Sequence, residues 1–129
     1  MAGYSATPLE QKLGLRPGQR VAVLDAASGF ALAGVRPFRR LAPALDLVVC
    51  FVRWEADLRR RLPRLVAALV PTGSLWIAWP KRSSGAPTDV GENLLRELIL
   101  PLGLVDNKVC AIDETWSGLR FVVRLTNRG

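Results

Sequence analysis

The sequence predicts an α/β fold built on a mostly parallel sheet, and three observations lead there. Nearly continuous apolar runs, VAVL at Val21–Leu24 and LDLVVCFV at Leu45–Val52, match strands covered on both faces. After these runs lie two segments whose leucines recur at helical spacing. The last quarter carries two strand-like runs around a short turn, which predicts a closing antiparallel hairpin.

The elements follow in order. Thr7-Pro8-Leu9-Glu10 sets a capping Thr three residues before a Glu, with Pro at the first helical position, and so opens a short helix that Gly14 ends. Arg16-Pro17-Gly18-Gln19 reads as a tight turn, because Pro presets its first central residue and Gly permits positive φ at the next. The first strand spans Arg20 to Leu24. Ser28 to Gly34 leaves room for about two helical turns, and Val35 to Leu41 is a candidate second strand that Pro37 weakens by removing a ladder donor. Leu45 to Val52 is a buried strand. Trp54 to Val70 carries Leu58, Leu62, Leu65, Val66 and Leu69 at helical spacing, with Pro63 expected to kink or divide the helix.

Pro71-Thr72-Gly73 turns the chain into a strand from Ser74 to Trp79. After the loop PKRSSGAPT, Thr88 or Asp89 is the expected cap of a helix through Leu102. Its apolar face holds Leu94, Leu95, Leu98 and Ile99, and Gly103 is its stop. The hairpin pairs Val105–Ile112 with Leu119–Leu125 around DETWSG. At 129 residues the chain suits one domain, residues 1–129, with a single core.

The net charge of +7 comes from 18 basic and 11 acidic residues; fifteen of the basic ones are arginines, beside Lys12, Lys81 and Lys108. Such a surface attracts phosphates or nucleic acid. Arg59-Arg60-Arg61 with Arg64, extended by Arg36, Arg39 and Arg40, is the run a nucleic acid would meet. No apolar stretch nears the roughly 20 residues of a membrane span, and no secretory signal is visible, so a soluble cytoplasmic protein is expected. Cys50 and Cys110 read as two buried thiols. Without histidine or Cys-x-x-Cys spacing, no metal site is expected.

A Gly-containing loop after the first strand, a helix ending in ALVPTGSLWIAW, another helix and a closing hairpin resemble the Rossmann-like S-adenosylmethionine-dependent methyltransferases. The phrases GYSATPLEQKLGLRPGQRVAVL, WIAWPKRSSGAPTD and DNKVCAIDETWSGLRFVVR are similar to an uncharacterised bacterial family of small, reduced methyltransferase-like proteins. This resemblance implies a reduced Rossmann-like, methyltransferase-type three-layer sandwich. It also implies a cofactor loop at Asp25, Ser28 and Gly29.

The sequence departs from that pattern at several positions. Ala27 stands where the first loop glycine is expected, and its Cβ restricts the turn. Arg39-Arg40 stands where an acid would accept hydrogen bonds from a ribose diol, which arginine cannot do. Between Gly29 and Asp46 no space remains for a further strand and two helices, and Phe51-Val52-Arg53-Trp54 replaces the Asn-Pro-Pro-Tyr type motif of some subfamilies. The expectation is therefore a domain that has lost its cofactor, S-adenosylmethionine included, and has no catalytic residue.

In an open parallel sheet, ligands bind beyond the carboxyl ends of the strands. The residues expected there are Asp25, Ser28 and Gly29, then Arg53, then Lys81, Ser83 and Ser84, and finally Trp116 and Ser117 from the hairpin turn. Two cations, two hydroxyls and a glycine in PKRSSG suit an anion. Trp116 either closes the end of the core or stacks on a ligand. The expected role is binding of an anionic or nucleotide-like ligand, or of a protein partner. Methyl transfer and nucleic-acid binding are the alternatives, and an uncovered sheet edge leaves room for a homodimer.

Overall fold

The computed structural model describes residues 8–124 and Thr126, within which five strands form one sheet. In chain order the elements are helix α1 (Leu9–Leu13), strands β1 (Val21–Leu24) and β2 (Leu45–Phe51), helix α2 (Glu55–Ala67), strand β3 (Leu69–Pro80), helix α3 (Glu92–Ile99), and strands β4 (Leu104–Ala111) and β5 (Trp116–Val123). Their spatial order is β1-β2-β3-β5-β4. β2 pairs in parallel with β1 and β3, while β5 returns between β3 and β4, antiparallel to both. The sheet is therefore mixed rather than mostly parallel.

The parallel half stops at β1 because the segment expected to extend it contributes one bridge only. Phe38 N–H donates to the Val21 carbonyl at 2.8 Å, and Val23 N–H donates to the Phe38 carbonyl at 2.9 Å. Pro37 has no N–H to continue the ladder. The preceding segment, expected to be helical, forms turns instead, with Gly29 and Gly34 at φ of 82° and 78°, values a right-handed helix does not hold.

Alternate strand residues feed two faces. Val48 and Cys50 of β2 and Leu75 and Ile77 of β3 lie under Leu58, Leu62 and Leu65 of α2 and Leu95 and Ile99 of α3. On the other face, Val21, Val23, Leu47, Val49 and Trp76 lie under Leu13 of α1 and are packed by Phe30, Leu32 and Val35 of the crossover. One face of the sheet is thus packed by α2 and α3, and the other by α1 with irregular chain. Leu45 and Leu47 share parity yet join opposite faces, because the β2–β3 register shifts between them. At that irregularity Asp46 accepts from Arg20 N–H at 2.8 Å. The same shift absorbs Pro71-Thr72-Gly73, so β3 starts at Leu69 rather than after a turn. A Cβ on Gly73 would lie 3.0 Å from the Leu45 and Val70 carbonyl oxygens.

Several helix ends differ from expectation. Pro8 occupies the N-cap position of α1, while Thr7, the expected cap, lies outside the described residues. Glu10 accepts from Ala33 N–H at 2.7 Å and so pins the crossover to α1, and this backbone bond holds its carboxyl below the usual value. α2 runs unbroken through Pro63, whose ring sits on the exposed side. α3 starts at Glu92 behind Gly91, then gives way to a 3-10 turn, Leu100–Leu102, before Gly103 at φ 93°. Thr88 and Asp89 cap nothing in α3: the Asp89 carboxylate accepts from Glu55 N–H at 2.7 Å and caps α2. β5 begins at Trp116, earlier than expected, and Leu125 lies outside the described residues. Among the described residues no helix is long and apolar enough to cross a membrane.

Candidate ligand site at the strand ends

β1 delivers its last residue, Leu24, into the core and then turns sharply. Asp25 follows with φ 53°, a left-handed conformation that costs a non-glycine residue about 1–3 kcal/mol. The chain next makes a turn in which Phe30 N–H donates to the Ala27 carbonyl at 3.0 Å. Gly29 takes the positive φ inside that turn, where a side chain would be strained. The Ser28 and Gly29 amides have no hydrogen-bond partner among the described residues.

An aromatic stack supports this turn from below. Phe30 meets Phe51 edge-on at 4.9 Å between ring centres, and Phe51 meets Trp116 in the same way at 5.1 Å. Trp116 is buried, and the Arg53 guanidinium lies 5.3 Å above its ring. Trp116 thus closes the end of the core and at the same time carries a cation on its outer face. The hairpin turn is fixed by Asp113, whose Oδ1 accepts from Thr115 N–H at 2.8 Å and Trp116 N–H at 2.7 Å.

Three clefts meet at Asp25. One, of about 380 Å³, runs under the crossover between Val23, Phe30, Leu32, Pro37 and Arg39. A second of about 380 Å³ opens between Ala26, Phe51, Arg53, Trp54, Asp57 and Trp116. The third, of about 240 Å³, lies toward α2 and is walled by Arg39, Arg61 and Arg64. The two larger clefts fall at the lower end of the range used for small ligands.

Arg61 organises the site from α2. It pairs with the Asp25 carboxylate, holds Asp57 at 3.2 Å, and donates to the Cys50 sulfur at 3.3 Å. Burial pulls its pKa down, but the hydrogen bonds to Cys50 and Asp25 prevail and hold the guanidinium above its ordinary value. Burial pushes the Cys50 thiol up to about 11, against the pull of Arg61. Its neighbours on α2 are also engaged: Arg59 pairs with Glu55 at 2.6 Å and Arg60 with Asp57. Arg59, Arg60 and Arg61 are thus matched by acids on their own helix, one turn away.

The expected site residues separate into two groups. Asp25, Arg53 and Trp116 share one cleft, beside the Ser28–Gly29 turn. Lys81 and Ser117 line a different, wide groove of about 840 Å³ along residues 85–94. Ser84 is used by its own loop: its hydroxyl donates to the Lys81 carbonyl at 2.6 Å and accepts from Ala86 N–H at 3.2 Å. Ser83 is exposed. Arg61 had only one local signal in the sequence, its i, i+4 spacing from Asp57. Arg39, read as an obstacle to a cofactor, is a wall of two clefts.

No protein-family model matches the chain, and no curated protein does. Solved structures match by shape. The structure of a LepI variant in complex with SAH and a substrate analogue superposes with a TM-score of 0.56 at 12% identity, covering 90% of this chain and 39% of that one. The LepI complex with SAM gives 0.55 at 12% identity over the same shares. The chain has a methyltransferase-like fold. A DhpI–SAH complex aligns at a TM-score of 0.49 and 14% identity, over 79% of this chain and 65% of that one. The chain spans about two fifths of the length of the LepI chains. The expectation of a domain that has lost its cofactor is corrected by the two LepI structures, which share this fold and were solved with SAM and with SAH.

Proposed function

We propose that this chain is a methyltransferase-like binding domain that receives an S-adenosyl-type ligand around Asp25. The observation that carries the reading is Asp25 itself, held in a strained left-handed conformation at the common wall of three clefts. Strain of this kind persists where the surrounding structure fixes it, often at ligand sites. The LepI complexes with SAM and SAH lend the ligand class.

The residues present fit the amino-acid end of such a ligand. The Asp25 carboxylate suits a cationic ammonium or sulfonium. The open Ser28 and Gly29 amides, with the Arg53 guanidinium across the cleft, suit a carboxylate. Phe30, Leu32 and Pro37 supply an apolar wall for a flat base. Bound S-adenosylmethionine would supply an activated methyl group. Arg61 pairs with Asp25 and Asp57, and Arg53 lies over the Trp116 ring, so the charged groups of the rim are held in place for a ligand, and the reading is one of binding without group transfer.

Isothermal titration with S-adenosylhomocysteine tests this. The expected result is saturable binding that Asp25→Ala weakens at least about tenfold, the loss of one charge-assisted contact. Absence of binding to S-adenosylhomocysteine and S-adenosylmethionine at millimolar concentration would overturn it.

A further inference from the structure

The cleft on the α2 side of Asp25 differs in chemistry from the other two. Its floor is apolar: Leu24 and Leu65 are buried and Leu41 partly so. Its rim carries three guanidinium groups, from Arg39 on the crossover and Arg61 and Arg64 on α2, against the single carboxylate of Asp25. Asp25 is already matched by Arg61, which Asp57 and Cys50 hold from the other side. Arg39 and Arg64 have no ion pair among the described residues. Two free planar cations, drawn from different elements, face a third that is fixed, so the cleft carries an uncompensated positive charge. Arg39 and Arg64 are exposed, so water screens any single ionic bond here, and the attraction for an anion comes from the guanidinium groups acting together.

We infer that this cleft binds the phosphate group of an adenosine nucleotide whose nucleoside lies along the adjoining Asp25 wall. Guanidinium forks match phosphate oxygens in geometry and charge. Asp25 and Arg39 are shared with the larger cleft under the crossover, so one ligand can span both. The inference rests on the reading of the Asp25 rim as a nucleoside site, and it makes the nucleotide a competitor of the S-adenosyl ligand.

The test titrates AMP, adenosine, inorganic phosphate and S-adenosylhomocysteine into the full chain and into Arg64→Gln and Arg64→Lys. Arg64 is exposed and, of the three clefts at Asp25, borders this one, so both variants should melt within a few degrees of the parent without ligand. AMP should bind at least about tenfold more tightly than adenosine. That advantage should vanish in Arg64→Gln and partly return in Arg64→Lys, while inorganic phosphate competes with AMP and affinity for S-adenosylhomocysteine stays within about twofold, far less than one lost charged contact. AMP no tighter than adenosine, or an advantage that Arg64→Gln leaves intact, overturns the phosphate site whatever S-adenosylhomocysteine does. Failure of S-adenosylhomocysteine alone, with the AMP advantage present and lost in Arg64→Gln, overturns only the choice of S-adenosyl ligand.

Discussion

Arg61 reaches across 36 positions of sequence to the carboxylate of Asp25 and ties the end of β1 to α2. The Asp25 side chain is 60% exposed and that of Arg61 27%, so water screens the pair and its direct contribution stays below about 1 kcal/mol. Arg61 also serves Asp57 and Cys50. Arg61→Met should therefore cost about 1–2 kcal/mol in urea unfolding, more than Asp25→Asn. The double variant should show a coupling of about 0.5–1 kcal/mol. Strict additivity would mean that the pair does not hold the strand end.

The Cys50 thiol gives the fold an alkaline limit. Burial raises its pKa from an ordinary value of 9.0 to about 11. Below both values the thiol is neutral in the folded and unfolded chains, and its contribution is fully present. As pH rises from about 9 to 11 the unfolded chain loses the proton first and stability falls. The gap corresponds to about 2–3 kcal/mol at most. Chemical denaturation at pH 8 and pH 10.5 should show the drop, and Cys50→Ala should reduce it by more than half. Cys110, also raised by burial, contributes with the same sign.

Gly118 on β5 faces Trp76 across the sheet. An added Cβ would lie 3.1 Å from both the Ile112 Cδ1 and the Trp76 ring. Ile112 can move, but Trp76 is fully buried and its indole N–H donates to the Leu13 carbonyl at 2.9 Å, so the ring is anchored. Gly118→Ala should cost about 1–3 kcal/mol by overpacking. A loosening of α1 should accompany it, read as faster amide exchange at Leu13 and Gly14. Unchanged stability would show that Trp76 can shift without losing its bond to α1.

The elements legible in the sequence were those defined by apolar pattern. β2, the leucine face of α2 and the closing hairpin follow from residue periodicity, because burial repeats at the period of the element. Gly14, Gly18 and Gly103 mark their turns because each adopts positive φ. The crossover was not legible: two glycines and Pro37 set its path, and its apolar residues Phe30, Leu32 and Val35 serve the core without regular structure. The site was legible in part. Asp25, Arg53 and Trp116 follow from the rule that strand ends form the rim, and a cleft brings them together. Arg61 and Arg39 join it through tertiary packing, which no local pattern encodes, and Asp89 was assigned to the wrong helix because a cap 34 residues away leaves no local mark.

Pro63 lies inside α2 and yet the helix continues through it. It has no N–H, so the Arg59 carbonyl one turn earlier receives no intrahelical bond from it. Both residues are on the exposed side, where water can serve that carbonyl, while Leu58, Leu62 and Leu65 hold the opposite face to the sheet. Packing thus outweighs the propensity cost of about 3 kcal/mol. Pro63→Ala should restore the bond and raise stability by about 1–2 kcal/mol, the gain being trimmed by the freer unfolded chain. A higher melting temperature with unchanged far-ultraviolet dichroism would bear this out. A lower one would mean that the proline sets the direction in which α2 presents Arg61 and Arg64, and the affinity for AMP should then fall with it.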